Sequence, residues 1–324
     1  MVTWLSRRVF QAFFIVVAMS IIVFLGVFAI GDPVEMLVPP DADQIEKARA
    51  IAVLGLDQPL WKQYLTFVAN AVRGDFGNSF VFDIPALQLI VQRLPATLEL
   101  AVFAVLLSVV LGIPLGVYAG LYPDQIVSRT IMAGSILGFS LPSFWVGLVL
   151  IMFFGVYLGW LPSNGRGDTV NVLGVEWSFL TWDGIRHMLL PALNLSLTNI
   201  AMVLRLTRAG VREALQMDYV KFARAKGLHP ARIVGVHVLK NIMIPIVTVV
   251  GLDFGSTIAF SVVTENIYAW PGMGKLIIDS INVLDRPVMV AYLILVVVMF
   301  AVINLIVDVV YMLLDPRVRG RAIS

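Results

Sequence analysis

The chain is 324 residues long, 59% hydrophobic and only 14% charged, with a net charge of +2. Ordinary soluble domains carry roughly 45–50% apolar and about 25% charged residues, so this composition excludes a soluble globular protein and fits the bilayer as solvent. The lack of cysteine excludes disulfides, thiolate metal sites and cysteine nucleophiles, and His187, His229 and His237 are not spaced as metal ligands.

Arg7 and Arg8 precede an apolar run over residues 9–30. That run matches the roughly 20 residues a helix needs to cross the hydrocarbon core, and it is too long for the apolar part of a signal peptide. Residues 1–30 read as a cytoplasmic start and an uncleaved first span. Residues 31–95 are polar, with no full span. Short helices are predicted at 41–54 and 60–73, the second carrying Leu60, Trp61, Tyr64, Phe67 and Val68 on one face. Such a face suits either the membrane surface or packing against another helix. Gly74-Asp-Phe-Gly77 signals a turn.

Residues 96–320 read as a five-helix core, followed by the tail 321–324. The second span, 96–121, carries Gly112, Pro114, Gly116 and Gly120, small residues that let helix backbones approach closely. The third, 130–158, is long enough to need tilt or a break, and Gly138-Phe-Ser-Leu-Pro142 supplies the break. Residues 159–186 are polar and turn-rich, with Trp160, Trp177 and Trp182 suited to an interface. The fourth span, 187–206, contains Asn194, Ser196, Thr198 and Asn199, a polar set that belongs against protein or water. A basic segment, 207–241, leads to the fifth span at 242–264. An outer loop and a sixth span at 288–314 complete an all-α membrane protein of six transmembrane helices.

Charge sets the expected orientation. Residues 205–240 hold eight Lys and Arg against Glu213 and Asp218, and the tail holds Arg317, Arg319 and Arg321. The segment 31–95 has five basic residues against eight acidic ones. Both termini and the basic loop in the cytoplasm, with 31–95 extracytoplasmic, satisfy the positive-inside rule.

No phosphate-binding G-x-x-x-x-G-K-S/T loop, H-E-x-x-H or G-x-S-x-G occurs, so no ATP hydrolysis or other catalysis is expected within this chain. Of the acidic residues near the spans, Asp253 and Asp308 lie deep, whereas Glu99 and Glu265 fall near span ends, where hydration is cheap. Proton relay, helix–helix hydrogen bonding or cavity lining fits the deep pair. The basic segment is more specific. Residues 218–226 favour helix, Gly227 can end it in the left-handed conformation, and Pro230 suits the first turn of a second helix. The resulting basic knob fits both a lipid-headgroup anchor and a protein docking surface.

Asp218-Tyr-Val-Lys-Phe-Ala-Arg-Ala-Lys-Gly-Leu228, followed by His237-Val-Leu-Lys-Asn241 and Pro245, closely resembles the cytoplasmic coupling loop of ABC importer permeases of the dipeptide, oligopeptide and nickel branch. Further patches resemble the same family in the same order. They are Gly31-Asp-Pro33, Leu54-Gly-Leu-Asp-Gln-Pro59, Gly74-Asp-Phe-Gly-Asn-Ser79, Ala96-Thr-Leu-Glu-Leu100, Ser140-Leu-Pro-Ser-Phe-Trp145, Thr264-Glu-Asn-Ile267, Trp270-Pro-Gly-Met-Gly274 and Asp315-Pro-Arg317. One departure stands out: the broad permease pattern opens with Glu-Ala-Ala six residues before the Gly. Here Lys221 holds the Glu position and Ala223 the second Ala, while Glu213-Ala214 lies too far upstream.

The resemblance implies a type I ABC importer permease fold in a bacterial or archaeal cytoplasmic membrane. It implies a second homologous permease, two cytoplasmic ABC ATPase subunits and an extracytoplasmic substrate-binding protein as partners, and no nucleic acid. No cofactor is implied for this chain, with ATP and Mg on the ATPase subunits. It places Lys221, Phe222, Ala223, Arg224, Ala225, Lys226, Gly227 and Leu228 at the ATPase contact. Asn194, Asn199, Asp253, Glu265, Trp270, Pro271 and Gly272 are candidates for the pathway or a gate. Peptides are the expected cargo. Nickel or glutathione transport within the family, and a proton-coupled symporter using Asp253 or Asp308, are the alternatives.

Overall fold

The computed structural model describes residues 2–29, 51–52 and 57–314. These fall into two compact units, 93–278 with 302–314 and 2–92 with 279–301. The short helix expected at 41–54 lies almost wholly outside the described residues.

In the unit formed by 2–92 and 279–301, α1 (Val2–Ala29) presents Phe10, Phe13, Phe14, Ile22 and Leu25 outward and buries Val23 and Phe24. A helix so apolar on its exposed side is solvated by lipid rather than water. The aromatic face expected over 60–73 is divided in α2 (Leu60–Val72). Tyr64 and Phe67 pack on Phe24 at ring-centroid distances of 5.4 and 5.8 Å, and the Ser20 and Tyr64 hydroxyls are 2.8 Å apart. Leu60, Trp61 and Leu65 stay exposed. The predicted turn is present, with the Gly77 N–H donating to Asp75 Oδ1 at 3.0 Å. Beyond it the buried Ser79 hydroxyl and the Phe80 N–H both donate to the fully buried Asp285 carboxylate. Asp285 immediately precedes the last helix, and its carbonyl accepts from the Met289 N–H at 3.0 Å.

The helix expected to begin at 96 begins ten residues earlier, as α3 (Ala86–Leu121), with Pro95 and Pro114 inside it. A short turn leads to α4 (Ile126–Ser140), after which the chain breaks. Leu141 precedes Pro142 and is extended (φ −81°, ψ 138°), because the proline ring clashes with a helical residue before it. The chain resumes as α5 (Ser143–Leu150) and a π-helical turn through Tyr157, bent by 111° from α4. The predicted break is therefore real and sharp. Among the described residues five helices are long and apolar enough to cross a membrane, or six when this bent pair counts as one span.

The polar connection 159–181 holds an antiparallel hairpin of β1 (Val170–Val172) and β2 (Val175–Trp177). Glu176 accepts from Thr169 Oγ1 and Asn171 Nδ2 at 2.6 and 2.8 Å, and these hydrogen bonds hold its carboxyl below the usual range. The segment is pinned to α3 by Glu99. That carboxylate is almost fully buried and accepts from Arg166, from the Ser178 N–H at 2.7 Å and from the Ser178 hydroxyl at 2.8 Å.

Thr181 caps α6 (Trp182–Ala214) by accepting from the Gly184 N–H at 2.8 Å, and Asp183 in the first turn complements the helix dipole. This helix crosses α3 along the predicted small-residue stripe. A Cβ placed on Gly112, Gly116 or Gly120 would stand 2.9, 2.6 or 2.8 Å from the Cβ of Val203, Thr207 or Val211 respectively. Contacts that short are forbidden, so the backbones are as close as only glycine permits.

After α6 come α7 (Asp218–Ala225), α8 (Pro230–Arg232), a π-helical turn (Ile233–Val238) and α9 (Leu239–Ile267). The chain ends in α10 (Met273–Asn282) and α11 (Arg286–Leu314). In the unit 93–278 with 302–314, one apolar core gathers Val203, Val211 and Ala214 of α6 with Val220 and Ala223 of α7. Ile233, Val238, Ile242 and Ile246 close it. A second core packs Ala96 and Leu100 against Met188, Ala192 and Trp270.

Candidate functional site

Three places carry the residues singled out in the sequence. The first is the hairpin of α7 and α8. α7 ends as Gly227 predicts: φ is +73°, the Gly227 N–H donates to the Arg224 carbonyl at 2.9 Å, and the Leu228 N–H to the Ala223 carbonyl at 3.2 Å. This paired closure satisfies the last carbonyls of the helix and needs a left-handed residue, which glycine adopts without strain. Pro230 then opens α8, whose first turn is capped by His229 Nδ1 accepting from the Ala231 N–H at 3.3 Å.

The two faces of α7 differ. Val220 and Ala223 point into the chain's own core, against α6 and the start of α9. Lys221, Phe222, Arg224, Ala225 and Lys226 are exposed, Phe222 at 61%. Gly227 is exposed and Leu228 packs partly on the same core. Lys221 bonds Asp218 at 2.9 Å, and that bond and charge hold the exposed Asp218 carboxyl below its usual range. The Lys226 ammonium lies 4.6 Å from the centroid of the Phe222 ring. The outcome is a short, pinned helix presenting three cations, the Tyr219 and Phe222 rings, one methyl and the Asp218 carboxylate that Lys221 bonds. Ala223, grouped with those residues in the sequence, faces the other way.

The second place surrounds Glu265. Expected near a span end with cheap hydration, this residue is instead 0% exposed, and protein donors replace water. Its Oε1 accepts from Thr97 Oγ1 at 2.7 Å and Ser261 Oγ at 3.0 Å; its Oε2 accepts from the N–H groups of Gly274 and Lys275 at 2.7 and 3.0 Å. Thr97 Oγ1 in turn accepts from the Met273 N–H at 2.8 Å. Trp270 is fully buried, donating Nε1–H to the Ala96 carbonyl at 2.9 Å. The Pro271 carbonyl accepts from Arg93 at 3.5 Å. A Cβ on Gly272 would collide with Glu265 Oε2 and stand 2.6 Å from Thr97 Oγ1. The Trp270–Gly274 turn is thus locked onto one carboxylate at the start of α10. Thr97 and Ser261 escaped notice as its partners: Thr97 lies 168 residues from Glu265 in sequence.

The third place holds the polar residues of α6. Asn194, 3% exposed, donates Nδ2 to Thr264 Oγ1 at 3.2 Å, and its buried Oδ1 has no partner among the described residues. Asn199 donates Nδ2 to Thr257 Oγ1 at 2.8 Å, and Thr257 donates to the Asp253 carbonyl at 2.9 Å. Asn199 and Asp253 share a small crevice with Ser108. The pathway candidates therefore divide: Asn199 and Asp253 come together, Asn194 pairs separately with α9, and Glu265, Trp270, Pro271 and Gly272 build the locked turn.

Known proteins fit this architecture. The family model for the binding-protein-dependent transport system inner membrane component matches residues 112–320, and the corresponding N-terminal model matches residues 1–101. The chain is 38% identical over 302 residues to the di/tripeptide transport system permease protein DppB of Pseudomonas aeruginosa, covering 89% of this chain and 90% of that one. It is 37% identical to the oligopeptide transport system permease protein AppB of Bacillus subtilis, covering 98% and 99%. It is 38% identical to the glutathione transport system permease protein GsiC of Escherichia coli, covering 93% of each. A chain of the inward-facing MetNI methionine ABC transporter shares the fold, with a TM-score of 0.54 at 20% identity over 71% of this chain and 97% of that one. With both family models matched in order and relatives aligned from end to end, the chain belongs to the family of binding-protein-dependent transport system inner membrane components.

Proposed function

We propose that this permease subunit pairs with a second, similar permease to form the translocation pathway of an ATP-driven importer of short peptides. Two ATPase subunits, carrying ATP and Mg, seat beneath it, and an extracytoplasmic binding protein delivers the cargo. The observation that carries this reading is the two-faced α7. Its inner face is fixed by Val220 and Ala223, while Lys221, Phe222, Arg224, Ala225 and Lys226 are exposed to meet a partner groove. Basic side chains pair with acidic groove walls, and Phe222 offers the kind of aromatic anchor on which interfaces depend. Lipid headgroups would hold the cations and the ring as well, but the fixed inner face and the small Ala225 between Arg224 and Lys226 suit close seating in a protein groove.

Relatives named for dipeptides, oligopeptides and glutathione support peptides as the cargo class. Glutathione is itself a tripeptide, so transport of that compound is a narrower form of the same reading. The locked Trp270–Gly274 turn supplies a rigid outer gate or a rest for the binding protein.

Co-purification tests the coupling surface. Ala225→Trp and the pair Lys221→Glu with Arg224→Glu should each lower the ATPase retained by the membrane subunits to about a tenth. Wild-type amounts of ATPase on both variants would rule the docking face out. Ala223→Trp does not serve here, since it disturbs the subunit's own core.

A further inference from the structure

The crevice around Asp253 is lined by α3, α6 and α9. Its polar groups are Ser108, Asn199 and Asp253; Val105, Met202 and Val249 belong to its apolar wall. Asp253 is half-buried in the middle of a spanning helix, and among the described residues no lysine, arginine or histidine lines the crevice. Among the described residues no hydrogen bond or ion pair reaches its carboxylate. The Ser108 hydroxyl is turned back onto the Val105 carbonyl at 2.7 Å, and the Asn199 amide donates to Thr257. Ser108 thus spends its only proton elsewhere and Asn199 one of its two, and both leave oxygen lone pairs available. The free space beside them admits a single group about the size of water.

A lone carboxylate within a membrane span is expensive unless something positive meets it. An alkylammonium head is the size of a water molecule, carries three donors, and needs acceptors of this kind around it. A guanidinium is too large for the space, and an anion would meet the negative charge of Asp253. We infer that Ser108, Asn199 and Asp253 form a recognition subsite for the protonated amino group of the cargo, with Asp253 as counter-ion. This rests on the peptide reading above and sharpens it: the chain itself, and not only a binding protein, selects peptides with a free amino terminus.

The test uses the complete transporter in lipid. Infrared difference spectra are recorded while butylammonium chloride replaces sodium chloride, and again with butanol. Butylammonium should shift a carboxylate band in the wild type, butanol should not, and Asp253→Asn should abolish the shift; Asp253→Ser replaces it where Asp253→Asn does not assemble. In proteoliposomes, uptake of dialanine should fall about tenfold or more in the same variant, the scale of one lost charge-assisted hydrogen bond. N-acetyl-dialanine should be carried poorly and equally by both proteins. No band shift in the wild type, or one that survives removal of Asp253, overturns the subsite. Wild-type dialanine uptake decides the peptide reading separately: a transporter that moves no peptide yet shows the shift keeps the ammonium subsite and loses the cargo.

Discussion

Glu265 shows how one residue can set a turn. Four donors from three separate stretches of chain converge on it, and Gly272 is small because a methyl there would collide with the carboxylate. Forcing extra volume into a packed site costs about 1–3 kcal/mol. Gly272→Ala should therefore lower the thermal unfolding midpoint of the purified protein in detergent. Gly235→Ala, where a Cβ would meet nothing within 4 Å, should not. Equal midpoints for the two variants would show that the turn is looser than its hydrogen bonds imply. The same logic reassigns Ala223. Its small size serves the core that α7 shares with α6, so substitution there reads stability, whereas Ala225 reads the proposed docking.

Among the elements, α3 and α6 approach closely. Because Gly112, Gly116 and Gly120 each face a β-branched residue, the two helices touch backbone to side-chain root. Gly116→Leu would drive a side chain into Thr207 and the Leu204 carbonyl. The expected result is loss of the monodisperse peak in size-exclusion chromatography, the penalty exceeding the roughly 1–3 kcal/mol typical of a misfit core group. A symmetric peak and unchanged yield would mean the helices can separate freely. This stripe, the break at Pro142 and the Gly227 closure were all legible in the sequence, because each depends on local chemistry: small residues at helical spacing, a proline's effect on its neighbour, a glycine's φ. Other features were not. The early start of α3 hides behind Pro95, which reads as a helix breaker but is accommodated inside the helix. The β1–β2 hairpin is only three residues a strand, held by Glu176 and its neighbours, too short for an alternating pattern. The burial of Glu265 depends on Thr97, a partner no local window contains.

For the whole molecule, family membership makes the chain a membrane transport subunit, and the proposed energy source separates it from an ion-coupled carrier. In proteoliposomes with ATP held constant, peptide uptake should persist when a protonophore collapses the proton gradient, and should stop when a non-hydrolysable nucleotide replaces ATP. Loss of uptake with the protonophore alone would instead make Asp253 or Asp308 a proton carrier. The core beneath α7 bears on how such a machine is built. Val220 and Ala223 belong to one apolar core with the end of α6, the π-helical turn and the first residues of α9. Close-packed side chains are stiff, so a displacement of α7 cannot be absorbed by one of these helices while the other stays still. If the proposed docking holds, the short basic helix is a yoke rather than a lever: a single push at its outer face would load two membrane spans in parallel through their shared core, and they would tilt together.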